Sequence, residues 1–119
     1  MNNIVEVTEA NFEPEVLHAA TPVVADVYAP WCGPCRMLGP VLEQLAGEFE
    51  GKAKFVKINV DEATAVAARY GITGVPTLLF FHQGEVRDSV VGLASLAALR
   101  SRISQVGNPA GGVMPAAQP

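Results

Sequence analysis

The sequence predicts an α/β domain with a central mixed five-stranded sheet flanked by four helices, and three observations carry that expectation. Val23-Val24-Ala25-Asp26-Val27-Tyr28 is apolar on both parities apart from Asp26, the pattern of a strand covered on both faces. A helical repeat follows it directly, with Leu38, Leu42, Leu45 and Phe49 on one stripe and Glu43, Gln44 and Glu48 between them. Further on, the apolar-rich runs Thr77 to His82 and Glu85 to Val91 are joined by Gln83-Gly84, the signature of a two-residue antiparallel hairpin. Helix-linked strands that end in a hairpin give a mixed sheet with helices on both faces.

Taken in order, Ile4 to Val7 is a short strand, and Thr8 to Asn11 supplies capping residues for a helix carrying Phe12, Val16 and Leu17. Thr21-Pro22 closes that helix, and Val23 to Tyr28 is the buried strand. The next helix spans Pro34 to about Glu50; Pro34 suits a first turn, where its missing N–H costs nothing. Pro40 falls inside it, removes a ladder bond and crowds the Arg36 carbonyl, so a kink is expected there. Ala53 to Val60 is a further buried strand, and Glu62 to Tyr70 a short helix stopped by Gly71. After the hairpin, Ser95 caps a last helix with Leu96, Leu99 and Ile103 inward and Arg100 and Arg102 outward. Residues 1–106 form the expected domain, and the Gly- and Pro-rich tail 107–119 is expected to be disordered.

A chain of 119 residues suits one domain that can bury roughly two-thirds of its unfolded surface without staples, which leaves both cysteines free for chemistry. Half the residues are hydrophobic and the net charge is -4, which excludes a charge-driven disordered chain and offers no basic patch for nucleic acid. The first residues lack a secretory pattern, and Asp26, Pro40, Lys57 and Pro76 interrupt every run that could cross a membrane. The expectation is a cytoplasmic monomer.

Trp31-Cys32-Gly33-Pro34-Cys35 holds the one tryptophan and both cysteines of the chain. Such a pair can pack, close a disulfide ring or supply half a metal site. Structural zinc needs four ligands, and only the isolated His18 and His82 could be added. The setting favours redox chemistry, because the pair opens a helix directly after a strand in a βαβ frame. A free cysteine of pKa about 8.5 is roughly 3% thiolate at pH 7, whereas one lowered to about 7 is roughly half thiolate. That shift corresponds to about 2 kcal/mol. The helix dipole gives typically about 0.3 to 1 kcal/mol, so backbone N–H groups or the second thiol must help. Cys32, at the helix start, reads as the reactive thiol, and Cys35, one turn further in, as the more shielded one. Asp26 breaks an apolar strand, so burial should raise its pKa, while Lys57 on the neighbouring strand would oppose this; the sequence leaves open which prevails.

With Asp26 upstream, Lys57 on the next strand and Gly74-Val75-Pro76-Thr77 before the hairpin, the Trp-Cys-Gly-Pro-Cys motif resembles the thioredoxin family over about Ile4 to Ile103. The resemblance implies the thioredoxin fold and a protein-disulfide reductase that serves cell redox homeostasis and electron transport. It makes Cys32 the nucleophile, Cys35 the resolving thiol and Pro76 a cis-proline, with Asp26 and Lys57 beside the chemistry. Trp31 would cover the site, Gly33-Pro34 would allow the tight turn into the helix, and Gly74, Val75 and Gly92 would line a substrate groove. It implies no metal or organic cofactor. The implied partners are disulfide-containing proteins and an NADPH-linked thioredoxin reductase. Tyr28, Arg36 and Leu93 depart from common family choices, which bears on partner preference. An oxidase or isomerase on the same fold, and a binding subunit with dispensable thiols, are the competing readings; Gly33-Pro34 between the cysteines favours the reductant.

Overall fold

The structure, a computed structural model, describes residues 3–107. The expected tail therefore lies, except for Gly107, outside the described residues. The elements are β1 (Ile4–Val7), α1 (Glu13–Leu17), β2 (Val23–Tyr28), α2 (Gly33–Glu48), β3 (Lys54–Asn59), α3 (Thr64–Arg69), β4 (Thr77–His82), β5 (Glu85–Val91) and α4 (Leu96–Val106). The sheet order is β1-β3-β2-β4-β5. β1 and β2 run parallel to β3, and β4 runs antiparallel to both β2 and β5. The mixed sheet read from the sequence is the one formed.

β2 sits at the centre because both its parities can be buried. Val23, Ala25 and Val27 join Phe12, Val16, Val66 and Phe81 in one cluster, under α1 and α3. Val24 joins Leu38, Leu42, Leu45, Phe55, Leu78, Phe80, Leu99 and Ile103 in the other, under α2 and α4. Asp26 and Tyr28 share the parity of Val24 and so lie on the α2 face.

Some elements differ from the sequence reading. α1 is a single π-helical turn closed by the bond from the His18 N–H to the Glu13 carbonyl, 3.0 Å. The segment is five residues long, too short for an extended α-helical ladder, and Pro14 sits in its first turn, where a missing donor costs nothing. α3 starts two residues later than expected and ends at Arg69. Gly71, at φ +65°, lets Ile72 N–H reach back to the Ala67 carbonyl at 2.9 Å, and so acts as the stop foreseen for it. α2 spans Gly33–Glu48 with Pro40 inside it, as the sequence placed it. The hairpin turn has positive φ at both Gln83 (55°) and Gly84 (82°), the type that matches the strand twist. A Cβ on Gly84 would also stand 3.2 Å from the Leu17 carbonyl oxygen. Gly84→Ala is therefore expected to lose about 1 to 2 kcal/mol from the left-handed backbone alone. Urea unfolding checks this, and an unchanged midpoint would show that the turn relaxes freely.

Candidate active site

The chain leaves the carboxyl end of β2 through Ala29 and Pro30 and turns directly into α2. Cys32 is the N-cap of α2, with extended backbone (φ -91°, ψ 115°), and its sulfur accepts the N–H of Cys35 at 3.1 Å. A cysteine sulfur thus takes the place usually filled by a serine or aspartate oxygen. This supplies the backbone donor that the sequence argument required beyond the dipole, since a thiolate accepts that N–H more strongly than a thiol. Cys32 and Cys35 are joined in a disulfide with Cα atoms 5.3 Å apart.

Depth does not separate the two cysteines as expected. Cys32 is 5% exposed and Cys35 6%. Surroundings separate them instead. Cys32 Sγ lies 3.8 Å from the Val75 carbonyl oxygen. Cys35, and not Cys32, lines a cleft of about 210 Å³ whose walls include Asp26, Tyr28, Arg36, Glu43 and Lys57.

The Val75-Pro76 peptide is cis, as the resemblance implied. Gly92, at φ +90°, donates its N–H to the Pro76 carbonyl at 2.8 Å, and Thr77 Oγ1 donates to the Gly74 carbonyl at 2.7 Å, so the loop is held from both sides. Open space surrounds the position a Cβ would take on Gly33 and on Gly74. Neither has a positive φ, so the backbone at these two positions is open to other residues. Trp31, beside Cys32 in the sequence, lies at the surface. It is 68% exposed, with Nε1–H donating to Asp61 Oδ2 at 2.9 Å, and the apolar cluster at the thiols is Ala29 with Tyr28, Val60 and Val75. Val91 and Leu93 are exposed near the same loop.

Asp26 is 8% exposed, and its Oδ1 has no hydrogen-bond partner among the described residues. Its pKa is pushed up to about 7, first by burial, against the pull of the Lys57 ammonium and with a push from Glu6. Desolvation prevails over Lys57, which settles what the sequence left open. Lys57 is half-exposed and turns to Glu6, with Nζ 3.8 Å from Oε1. Glu6 also accepts the Tyr28 hydroxyl at 3.1 Å. Sequence reasoning missed Glu6 and Asp61, because only the register of β1 on β3 and the path of the loop after β3 bring them to the site. Arg36 Nη1 donates to the Pro30 carbonyl at 2.9 Å and ties the first turn of α2 to the loop before it.

Two joined cysteines at the first turn of a helix, one with its sulfur beside a cis-proline loop and the other lining a cleft shared with a buried acid, form a site for exchanging a disulfide with another molecule. The chain has the fold and site of a protein dithiol–disulfide oxidoreductase. It belongs to the thioredoxin family, whose model, described as Thioredoxin, matches residues 3–105. Thioredoxin of Pyropia yezoensis is 44% identical over 103 residues, 87% of this chain and 96% of the relative. Thioredoxin 1 of Nostoc sp. PCC 7120 is 44% identical over 105 residues, 88% of this chain and 98% of the relative. The chloroplastic M-type thioredoxin of Pisum sativum is 42% identical over 105 residues, 88% of this chain but 61% of that longer relative.

Proposed function

We propose that the protein works as a reductant of protein disulfides, with Cys32 as nucleophile and Cys35 as resolving thiol. The observation that carries this reading is the Cys32 sulfur at the helix N-cap, accepting the Cys35 N–H and facing the Val75 carbonyl, while Cys35 lines the cleft with Asp26. The Cys32 thiolate attacks one sulfur of the substrate disulfide, and the other leaves as a thiolate that takes a proton from water. Asp26 then accepts the Cys35 proton, directly or through water in the cleft, and the Cys35 thiolate attacks Cys32 Sγ. The bond from Cys32 to substrate breaks, the second substrate sulfur leaves, and the protein holds the Cys32–Cys35 disulfide. Two electrons have passed to the substrate.

Trp31, Gly33, Pro34, Gly74, Val75, Pro76 and Gly92 would form the docking groove, with exposed apolar side chains of Val91 and Leu93 at its rim. Return to the dithiol falls to an NADPH-linked thioredoxin reductase, and this chain uses no cofactor of its own. We place it in the cytoplasm, where a dithiol reductant is kept reduced, acting as a monomer through residues 1–106. Among the described residues no helix is long and apolar enough to cross a membrane.

Two measurements test the reading. Brief alkylation of the reduced protein near neutral pH should label mainly Cys32, because its sulfur caps the helix and accepts the Cys35 N–H; label mainly on Cys35 would reverse the roles. Equilibration against glutathione should leave this protein the stronger reductant, near the roughly -270 mV that belongs to thioredoxin itself and is carried over from it. A potential near -120 mV, as for a strong oxidant, would favour the oxidase.

A further inference from the structure

Glu6, Lys57 and Asp26 stand at registered positions on three adjacent parallel strands. Glu6 pairs with Lys57 across β1 and β3, and Asp26 pairs with Lys57 across β2 and β3. Registered partners point to the same face, and here it is the α2 face, under which the Asp26 cleft opens. The row therefore reads carboxylate, ammonium, carboxylate. On the far side of Asp26, its partner on β4 is the buried Leu78, which brings no charge.

Lys57 lies between two acids and is engaged by the outer one. Its ammonium is 3.8 Å from Glu6 Oε1 and lies 5.7 Å from the centre of the Tyr28 ring. The Tyr28 hydroxyl closes the group by donating to Glu6 Oε2 at 3.1 Å. Asp26 keeps an oxygen without a protein partner among the described residues. From α2, Cys35, Arg36 and Glu43 also line the cleft, but the Arg36 guanidinium is turned out to the Pro30 carbonyl.

We propose that Glu6 is a positioning residue, which anchors the Lys57 ammonium and the Tyr28 hydroxyl at the mouth of the cleft and so governs the pH at which Asp26 takes the proton of Cys35. This rests on the proposed role of Asp26 as base. Glu6 acts in two ways of the same sign. It adds negative charge about two strand spacings, or roughly 10 Å, from Asp26, and it holds back the one ammonium that would stabilise the Asp26 carboxylate. The Tyr28 hydroxyl, pushed up to about 12 by burial and by its bond to Glu6, stays neutral across the working range and so keeps the proton it donates to Glu6.

The test uses the whole chain with Glu6→Gln, which keeps an acceptor for Tyr28 and removes the charge, and Tyr28→Phe, which frees the Glu6 carboxylate. The control is Glu13→Gln, which removes an exposed carboxylate that lies 3.6 Å from the His18 imidazole, on the other face of the sheet. Two readouts are taken: the titration of the Asp26 carboxyl carbon by NMR in the disulfide form, and the pH dependence of mixed-disulfide resolution. Glu6→Gln should move both midpoints down by roughly 0.3 to 1 pH unit, the range for one charge at this distance at an effective dielectric between water and a protein surface. The shift should shrink in 0.5 M salt, because the pair is half-exposed. Tyr28→Phe, which keeps the Glu6 charge and its hold on Lys57, should move them far less than Glu6→Gln does, and Glu13→Gln should leave both in place. An unmoved Asp26 titration in Glu6→Gln, or an equal shift in Glu13→Gln, overturns the inference while leaving the proposed function untouched. A moved Asp26 titration with an unmoved resolution profile overturns the base role itself, and the inference with it.

Discussion

Replacing Cys35 by serine is expected to stop turnover after a single attack, leaving a covalent adduct between Cys32 and the substrate. The geometry gives the reason. Cys32 keeps its place at the helix N-cap and its N–H donor from the backbone of residue 35, which serine retains, so the first step survives. The second step needs a nucleophile at position 35, and a serine hydroxyl in the cleft with Asp26 ionises far too weakly to supply one. Multiple-turnover reduction of an insulin disulfide should fall by on the order of 10³-fold or more, the scale seen when one member of a catalytic unit is removed. Mass spectrometry should show the adduct on Cys32. Cys32→Ser should be equally inactive without forming it. An adduct that resolves at the parental rate would show that the substrate's own second thiol, not Cys35, completes the reaction. Identifying the proteins captured by Cys35→Ser would name the physiological substrates.

Asp26→Asn is expected to stabilise the fold while slowing the reaction. The folded pKa of Asp26 is raised to about 7 from a usual value of 3.8, chiefly by burial. A raised carboxyl pKa leaves stability untouched below about pH 4, where both folded and unfolded chains hold the proton. Between about pH 4 and 7 the unfolded chain ionises first, and stability falls with a slope of one proton; above about pH 7 the loss is complete, on the order of 4 kcal/mol. Asparagine removes that loss but buries an amide whose unmet hydrogen bonds cost about 1 to 3 kcal/mol. The net gain at pH 8 should be roughly 1 to 3 kcal/mol by urea unfolding, vanishing below about pH 4, where only the amide cost remains. Mixed-disulfide resolution should slow by about 10²-fold or more at neutral pH, the contribution of a positioned base. Destabilisation at pH 8 with resolution at the parental rate would make Asp26 a structural charge.

The strands, the hairpin and the place of the cysteine pair were legible in the sequence because each rests on local physics. Val23 to Tyr28 could be buried only at the centre of a sheet, and a thiol between that strand and an amphipathic helix could only be at a helix start. Asp26 was legible as an anomaly for the same reason. What the sequence withheld depends on register and on the paths of loops. Glu6 is an unremarkable acid until β1 pairs with β3 and sets it opposite Lys57. The partner of Trp31 was hidden too, since only the path of the loop after β3 brings Asp61 to its ring N–H. The equal burial of Cys32 and Cys35 was also hidden, since spacing along a helix gives direction and leaves depth to whatever packs beside it.

The irregular pairing of β4 with β5, where the register shifts between Phe80 and Phe81, bears on how this molecule keeps company with itself. β5 is an outer strand, and a long flat outer strand invites a second chain to add to it. Here the irregularity coils that border, while Glu85, Arg87 and Asp88 set charges along it and Arg102 from α4 clasps Asp88 at 2.8 Å. The opposite border, β1, is only four residues long. Strand addition is thus discouraged at both borders of the sheet, and under the proposed function the face beside Cys32 is where a foreign chain would settle.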